Sequence, residues 1–278
     1  MEHKYMINSR EIIQNNIVLE QKRVKTSSLR LILLGILAGL FVACGATAGS
    51  VVTHTIDNVG FARLLAGIVY PVGIMMVVFV GGELFTSDCL LILGIMDKKY
   101  KVTDMLRVLL LVYMGNVIGT GMLTLLVHFS GRYYYSEGLL GAYTIRVAMA
   151  KIDLDFGMAF SSGIICNLFG CAAVLMASAA KDAGGKLWTV FFPIMTFVVS
   201  GYEHCVANMY FIPAGILASK NRLFTQIAMS QYGYSAEQLS TINWKNYIIH
   251  SAIPVTLGNA VGGMALIGII LYLIYKTG

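Results

Sequence analysis

The chain has 278 residues, of which 57% are hydrophobic and only 12% charged, and its mean hydropathy is +0.74. Soluble domains carry about 25% charged residues, so this composition excludes an ordinary soluble domain and indicates a membrane protein with several spans. The formal net charge is +6. Because the Lys and Arg residues lie mainly in segments between apolar runs, this charge reflects membrane topology and does not favour nucleic-acid binding.

The first 29 residues form a polar tail that contains one amphipathic pattern. Its apolar face is formed by Ile12, Ile13, Ile17 and Leu19. We predict a short helix here that packs under the membrane bundle; an interfacial helix or a lid over the pore are the alternatives. The first apolar run after the tail exceeds the core of a signal peptide, about 7–15 residues, so the tail should remain in the mature protein.

Six apolar runs follow, each long enough for a bilayer crossing of about 20 residues. They cover residues 31–52, 61–96, 106–129, 156–180, 187–217 and 247–275. We predict an all-α integral membrane protein with six transmembrane helices in a single domain over residues 30–278.

Loop charges predict the orientation of the spans, since Lys and Arg concentrate on the cytoplasmic side. With the N-terminus inside, thirteen Lys and Arg residues, including Lys4, fall on the cytoplasmic side and seven on the other. The expected location is therefore the cell membrane (the inner membrane where there are two), with both termini in the cytoplasm.

Two segments of the chain repeat each other. "GGELFTSDCL" (Gly81 to Leu90) aligns with "GYEHCVANMY" (Gly201 to Tyr210), and "GNVIG" in the third span matches "GNAVG" in the sixth. We predict two three-span repeats, about residues 30–130 and 156–276. Because each repeat has three spans, an odd number, the second copy must be inverted relative to the first. Both copies carry a Gly-rich polar interruption, in spans two and five, and these interruptions predict that the two spans are broken, as in many transporters.

Small residues recur at four-residue spacing in three spans, in the pairs Gly35 and Gly39, Gly115 and Gly119, and Gly258 and Gly262. Such pairs allow close helix contact in a bilayer. Asn116 and Asn259 lie within two of these faces, and we expect their amides to bond to the broken backbone of spans two and five, because an unpaired amide in lipid is costly.

Four ionisable residues, Glu83, Asp88, Glu203 and His204, lie at membrane depth, where each indicates a pathway or a paired structural group. The two glutamates occupy equivalent positions, so we assign them a structural role in which their carboxylates accept the free N–H groups of the breaks. His204 has Leu84 as its counterpart. A residue that departs from the repeat is a better functional candidate, although a buried histidine bonded to a backbone carbonyl is an equal alternative.

Asn208, five residues after Glu203, is predicted to help hold the same break. Thr86 offers a hydroxyl near the same depth, which alone is a weak signal. Lys151 precedes the fourth span and either attracts anions or is a solvated loop residue beside Asp153 and Asp155.

Neither a metal site, a cofactor nor an enzyme activity is expected. The cysteines stand singly in apolar segments with no CxxC pair, and Cys205 beside His204 is too little for a metal. "AGGKLW" lacks the Ser or Thr of a phosphate-binding loop. An enzyme would need a second catalytic group facing His204, and neighbouring Glu203 would point about 100° away on a helix.

At "GGELFTSD", "CNLFGCAAVLMA", "SGYEHCVANMYFIPAGIL" and "IPVTLGNAVGG" the chain resembles the formate/nitrite transporter family. The likeness extends from about residue 12 to 275. It implies an aquaporin-like fold, a homopentamer with one pore in each protomer, and passage of small monovalent anions without ATP.

The same resemblance implies roles for individual residues. His204 would be the central polar residue of the pore and Thr86 would lie on the interrupted loop of span two. The implied vestibule lysine is Lys151, and the implied pore asparagine is Asn167. One hydrophobic constriction would consist of Phe197 with Leu84, and the other of Ile74 with Tyr70.

These features together predict a passive, pH-sensitive channel for small weak-acid anions. The substrate is formate, with nitrite, hydrosulfide, acetate or lactate as alternatives, and the lipid bilayer surrounds the protein. "ELFTS" followed by Asp88 is closer to the formate-channel form within the family. A neutral-solute facilitator of the aquaporin or ammonia type is the competing class, since it shares an apolar pore and a central histidine.

Overall fold

The computed structural model describes residues 7–276, so Lys4, which the charge count placed in the cytoplasm, lies outside the described part. Within those residues the chain is helical, with no β-strand. The helices are α1 (Ser9–Arg23), α2 (Ser28–Thr53), α3 (Val59–Val69), α4 (Pro71–Val80), α5 (Phe85–Asp88), α6 (Ile92–Met96), α7 (Val102–Phe129), α8 (Leu139–Ile152), α9 (Phe156–Ala179), α10 (Ala183–Ser200), α11 (Cys205–Ala218), α12 (Arg222–Tyr232), α13 (Ala236–Ser240), α14 (Trp244–Asn246), α15 (Ile253–Val261) and α16 (Ile270–Lys276). Short 3-10 turns lie at Cys89–Leu91 and Arg132–Tyr134, and π-helical turns at Tyr247–Ala252 and Gly262–Ile269.

The prediction of a helical protein with six membrane-spanning helices is confirmed in the described residues. The six long apolar helical segments are Ser28–Thr53, Val59–Val80, Val102–Phe129, Phe156–Ala179, Ala183–Ser200 and Trp244–Tyr275. Two of the apolar runs of the sequence are each divided between a long segment and a shorter helical one, Phe85–Met96 after α4 and Cys205–Ala218 after α10. The candidate site lies at the two interruptions that separate these helical segments.

Glycine permits a close crossing of α2 with α7. A Cβ on Gly35 would lie 2.7 Å from the carbonyl oxygen of Val112, and one on Gly39 would lie 2.5 Å from that of Asn116. Since real Cβ atoms do not approach backbone oxygens so closely, only glycine permits this contact. The crossing brings Asn116 of α7 beside the start of the first interruption.

Helix α1 packs against the membrane bundle, in contact with α6, α9 and α16. Its buried face consists of Ile13, Asn16, Ile17 and Glu20, whereas Leu19, which we assigned to the apolar face, is 50% exposed. The assignment of Leu19 was wrong because two polar residues take part in the contact. The Asn16 amide donates to the Ser178 hydroxyl at 3.0 Å.

The crossing of α2 and α7 predicts the effect of adding one methyl group. Gly39→Ala should lower the free energy of unfolding by about 1–3 kcal/mol, because the methyl group forces two backbones apart. Gly121→Ala on α7 is the matched control, since nothing lies within 4 Å of its Cβ position. The melting temperature of the purified protein in detergent measures both; equal values for the two variants would contradict this account.

Candidate functional site

The site is built on two interruptions of the backbone. Helix α4 ends at Val80 and α5 begins at Phe85, and the intervening Gly81 has φ +106°. Helix α10 ends at Ser200 and α11 begins at Cys205, with Gly201 at φ +76°. Glycine is required at both positions because side chains disfavour positive φ. Because Phe85 and Cys205 are buried, each interruption leaves the first N–H groups of the following helix in the protein interior, away from water.

Asn116 of α7 bonds to the first interruption. Its Oδ1 accepts from the Phe85 N–H at 3.0 Å, and its Nδ2 donates to the Glu83 carbonyl at 2.9 Å and to the Gly35 carbonyl of α2 at 2.9 Å. One side chain therefore joins the α5 end of this interruption to α2.

Asn259 of α15 makes the matching bonds at the second interruption. Its Oδ1 accepts from the Cys205 N–H at 2.9 Å, and its Nδ2 donates to the Glu203 carbonyl at 3.0 Å and to the Gly163 carbonyl of α9 at 2.7 Å. The Cys205 N–H and the Glu203 carbonyl have the same positions relative to Glu203 as the Phe85 N–H and the Glu83 carbonyl have relative to Glu83.

The glutamate carboxylates do not take the backbone bonds that we assigned to them. Both oxygens of Glu203 accept from the Lys151 ammonium at 3.0 Å, and Oε2 also accepts from the Asn208 amide at 2.6 Å. A carboxylate only accepts, whereas an amide also donates and so satisfies both an N–H and a carbonyl of one interruption. That is the physical reason why the asparagines take this role.

Glu83 pairs with a residue that the sequence did not point to. Arg23, at the end of α1, places Nε 2.8 Å from Glu83 Oε2 and Nη1 3.3 Å from Asp88 Oδ1, and it also bonds to Glu20 at 2.5 Å. Burial raises the pKa of the Glu20 carboxyl, and Arg23 opposes this shift. In the sequence, Glu20 and Arg23 have the spacing of an ordinary surface ion pair, so nothing indicated that they reach the membrane interior.

His204 lies at the second interruption with both ring nitrogens in use. Nδ1 accepts from the N–H of Ala207, which caps α11, at 3.2 Å, and Nε2 lies 3.2 Å from the Thr86 hydroxyl. Since Nδ1 is an acceptor, the proton of the neutral ring is assigned to Nε2. His204 therefore presents an N–H donor towards Thr86, from the opposite interruption.

Asn167 of α9 is fully buried and holds Thr86 by its backbone. Its Nδ2 donates to the Thr86 carbonyl at 3.1 Å and to the Asn259 carbonyl at 2.7 Å. Asn167 does not line the cavity described next. The structure thus brings Thr86, His204 and Asn167 together. Thr86 and His204 meet through their side chains, and Asn167 bonds to the backbone of Thr86.

A cavity of about 710 Å³ leads from the end of α2 to His204. At its inner end the Phe197 ring stacks on His204 with centroids 5.8 Å apart, and the Tyr70 ring meets Phe197 edge-on at 6.1 Å. The structure therefore pairs Phe197 with Tyr70. Leu84 and Ile74 do not line this cavity, so their assignment to constrictions stays a prediction. The sequence alone did not show that Phe197, in α10, contacts Tyr70, which lies between α3 and α4.

The charged residues that line the cavity are mostly basic. Lys151 is joined by Arg63 and Arg146, against Asp57 and Glu203. Lys151 lies in the last turn of α8, not in a loop, with its side chain 16% exposed beside Glu203 at 7%. Since Glu203 engages Lys151, the cations open to the cavity are Arg63 and Arg146, both of which the sequence analysis missed.

The described residues contain no group of three or more His, Cys, Asp or Glu side chains arranged to hold a metal ion. Every described cysteine is free. The polar side chains of the cavity are suited to binding an anion by charge and hydrogen bonds.

Comparison with known proteins gives a consistent result. The family model described as formate/nitrite transporter matches residues 10–273. The chain is 36% identical over 218 residues to the formate channel FocA of Haemophilus influenzae, covering 78% of this chain and 76% of that protein. It is 32% identical over 251 residues to the formate channel FocA of Escherichia coli K12, covering 87% and 85%.

Solved structures agree with these sequence matches. A pentameric formate channel with formate bound is similar with a TM-score of 0.79 and 31% identity, over 89% of this chain and 97% of that one. An ion channel of the same family, at 22% identity and a TM-score of 0.79, shows the same fold. The relatives are channels and transporters, so the expectation that the chain is not an enzyme is confirmed.

The bonds of Asn259 predict a large loss of stability when they are removed. Asn259→Ala leaves the Cys205 N–H and the Glu203 carbonyl buried without this partner, and each unsatisfied group costs about 1–3 kcal/mol. Asn15→Ala is the control, because Asn15 lies on the exposed side of α1. Thermal unfolding in detergent should show a marked drop in melting temperature for Asn259→Ala only; a drop no larger than that of the control would refute the role.

The ion pair of Lys151 and Glu203 predicts non-additive effects. Lys151→Met leaves a buried carboxylate without its cation and should cost about 3–5 kcal/mol of unfolding free energy. Glu203→Gln should cost less, because Lys151 borders the cavity and gains water more easily. The double variant should recover part of the loss. A double-mutant cycle on melting temperature checks this, and strictly additive effects would show that the two groups do not interact.

Proposed function

The chain belongs to the formate/nitrite transporter family, and from this membership and the site geometry we propose a passive channel for small monovalent weak-acid anions, with formate as the substrate. The observation that carries the proposal is the Nε2–H donor of His204 at the inner end of the basic cavity, 3.2 Å from the Thr86 hydroxyl. A formate channel similar over most of the chain supports the choice of formate.

In this proposal the anion enters through the cavity. Arg63 and Arg146 attract it, and Lys151 contributes less because Glu203 neutralises it. Water is lost at the inner end of the cavity, where the aromatic rings lie. Attraction of this kind raises the local anion concentration and weakens as salt screens the charges.

The rings of Tyr70 and Phe197 then strip water from the anion, since both side chains are buried, at 4% and 3% exposure. Loss of water is costly unless hydrogen bonds replace it. The Nε2–H of His204 and the Thr86 hydroxyl supply these bonds. Beyond them, Leu84 and Ile74 are proposed to form the second apolar constriction.

The contacts of His204 give the pH dependence a physical cause. In the neutral ring Nδ1 accepts from the Ala207 N–H. Protonation at Nδ1 turns it into a donor, so the ring must give up this cap or turn away from it. Acidification therefore changes the position of the donor that the anion meets. This favours a neutral histidine that binds the anion by a hydrogen bond.

We also propose the architecture implied by the resemblance. The paired bonds of Asn116 and Asn259 support an inverted three-plus-three, aquaporin-like repeat with spans two and five broken. The similar formate channel is pentameric, which supports a homopentamer. The proposed location is the cell membrane with both termini in the cytoplasm, with residues 1–29 as a tail and residues 30–278 as the channel domain.

A neutral-solute facilitator is disfavoured by the charges of the cavity. A channel for ammonia or water gains nothing from Arg63 and Arg146 at its mouth, whereas an anion channel does. Nitrite and hydrosulfide, which are also small and monovalent, are the substrates against which formate must be compared.

The proposal predicts that removal of the central donor abolishes flux. Purified protein in liposomes should conduct formate faster than chloride, and His204→Phe should reduce formate flux by more than about tenfold, because the desolvated anion loses a hydrogen bond worth about 1.5–3 kcal/mol. Formate, nitrite, hydrosulfide and chloride fluxes are measured at neutral pH and again after acidification.

Protein-free liposomes correct for the weak acids that cross lipid unaided. Wild-type flux should respond to this pH change, and the flux that remains in His204→Phe should not. If wild-type protein conducts none of the four ions, or the variant conducts them all normally, His204 is a structural residue and the neutral-solute hypothesis gains.

A further inference from the structure

The hydroxyl of Tyr70 is a buried polar group without a partner. Tyr70 is 4% exposed, and within residues 7–276 its hydroxyl oxygen makes no hydrogen bond. Buried polar groups are satisfied in the great majority of cases, so an exception at a functional position needs an explanation.

The position of Tyr70 relates this hydroxyl to the path of the anion. Tyr70 lies between α3 and α4, and its side chain lines the cavity that ends at His204. Its ring meets Phe197 edge-on, and Phe197 stacks on His204. Tyr70 and His204 therefore line the same cavity and both contact the ring of Phe197. The residue is a tyrosine at a place where a phenylalanine would seal the constriction equally well without an unsatisfied group.

We propose that the Tyr70 hydroxyl binds the substrate: it donates a hydrogen bond to the anion inside the aromatic constriction, before the Nε2–H of His204 takes it over. This proposal rests on the proposed function and adds a second donor to the same path. The hydroxyl has no partner among the described residues because its partner is the passing ion.

The chemistry of this donor favours one class of substrate. The oxygens of formate and nitrite are strong hydrogen-bond acceptors, whereas sulfur is a weak one. A hydroxyl in a dry constriction therefore lowers the barrier more for small oxyanions than for hydrosulfide. Tyr70 is a specificity-determining residue for oxyanions in this account.

The test is Tyr70→Phe, which removes only the hydroxyl. In liposomes that contain the full-length protein, formate and nitrite fluxes should fall about fivefold or more, which corresponds to about 1 kcal/mol. Hydrosulfide flux should change little, so the ratio of formate to hydrosulfide flux falls. Tyr133→Phe is the matched control, because Tyr133 is also a buried tyrosine but does not line the cavity. It should leave both fluxes unchanged.

A second measurement separates substrate binding from a structural role. Loss of a hydroxyl that has no protein partner should leave the melting temperature of Tyr70→Phe unchanged or raise it. A clear fall would mean that the hydroxyl stabilises the protein itself and would overturn the proposal.

The outcomes distinguish this inference from the proposed function. If wild-type protein conducts formate and His204→Phe does not, but Tyr70→Phe conducts formate and hydrosulfide in the wild-type ratio, only the role of Tyr70 fails. If wild-type protein conducts no oxyanion, or prefers hydrosulfide, both the choice of formate and the role of Tyr70 fail.

Discussion

Buried helix ends are the constraint on which the rest of this structure depends. Two helices begin inside an apolar protein, at Phe85 and Cys205, and their first N–H groups cannot reach water. In a bilayer, irregular backbone is tolerated only where other protein groups satisfy it or where it lines a cavity. Asn116 and Asn259 supply those groups, one amide for each interruption, and the glycine crossing of α2 and α7 brings one of them within reach.

The charges follow from the same constraint. Each interruption carries a glutamate, and each glutamate meets a cation from a helix outside the six long segments, Arg23 of α1 or Lys151 of α8. Pairing makes a carboxylate tolerable at this depth. It also ties α1 to the first interruption and the cavity wall to the second. The carboxylates consequently connect the two interruptions to opposite ends of the bundle.

The proposed anion path runs along the cavity to the side chains at the two interruptions. A basic cavity narrows to the rings of Tyr70 and Phe197, and the donors of Tyr70, His204 and Thr86 follow in order. Each step removes water and supplies a replacement bond. The last two donors come from different halves of the chain, so the meeting point exists only when both interruptions are held in place by their asparagines.

Apolar run length determined the six spans, because a bilayer crossing needs a fixed number of apolar residues whatever their packing. The repeated Gly and Glu pattern likewise marked both interruptions, and the single asparagine of each glycine face indicated its role. Contacts between distant segments could not be read in this way. Three contacts depend on how helices cross: Arg23 with Glu83, Lys151 with Glu203, and Phe197 with Tyr70. Only the tertiary structure decides this, since side chains far apart in sequence meet according to packing and not according to spacing.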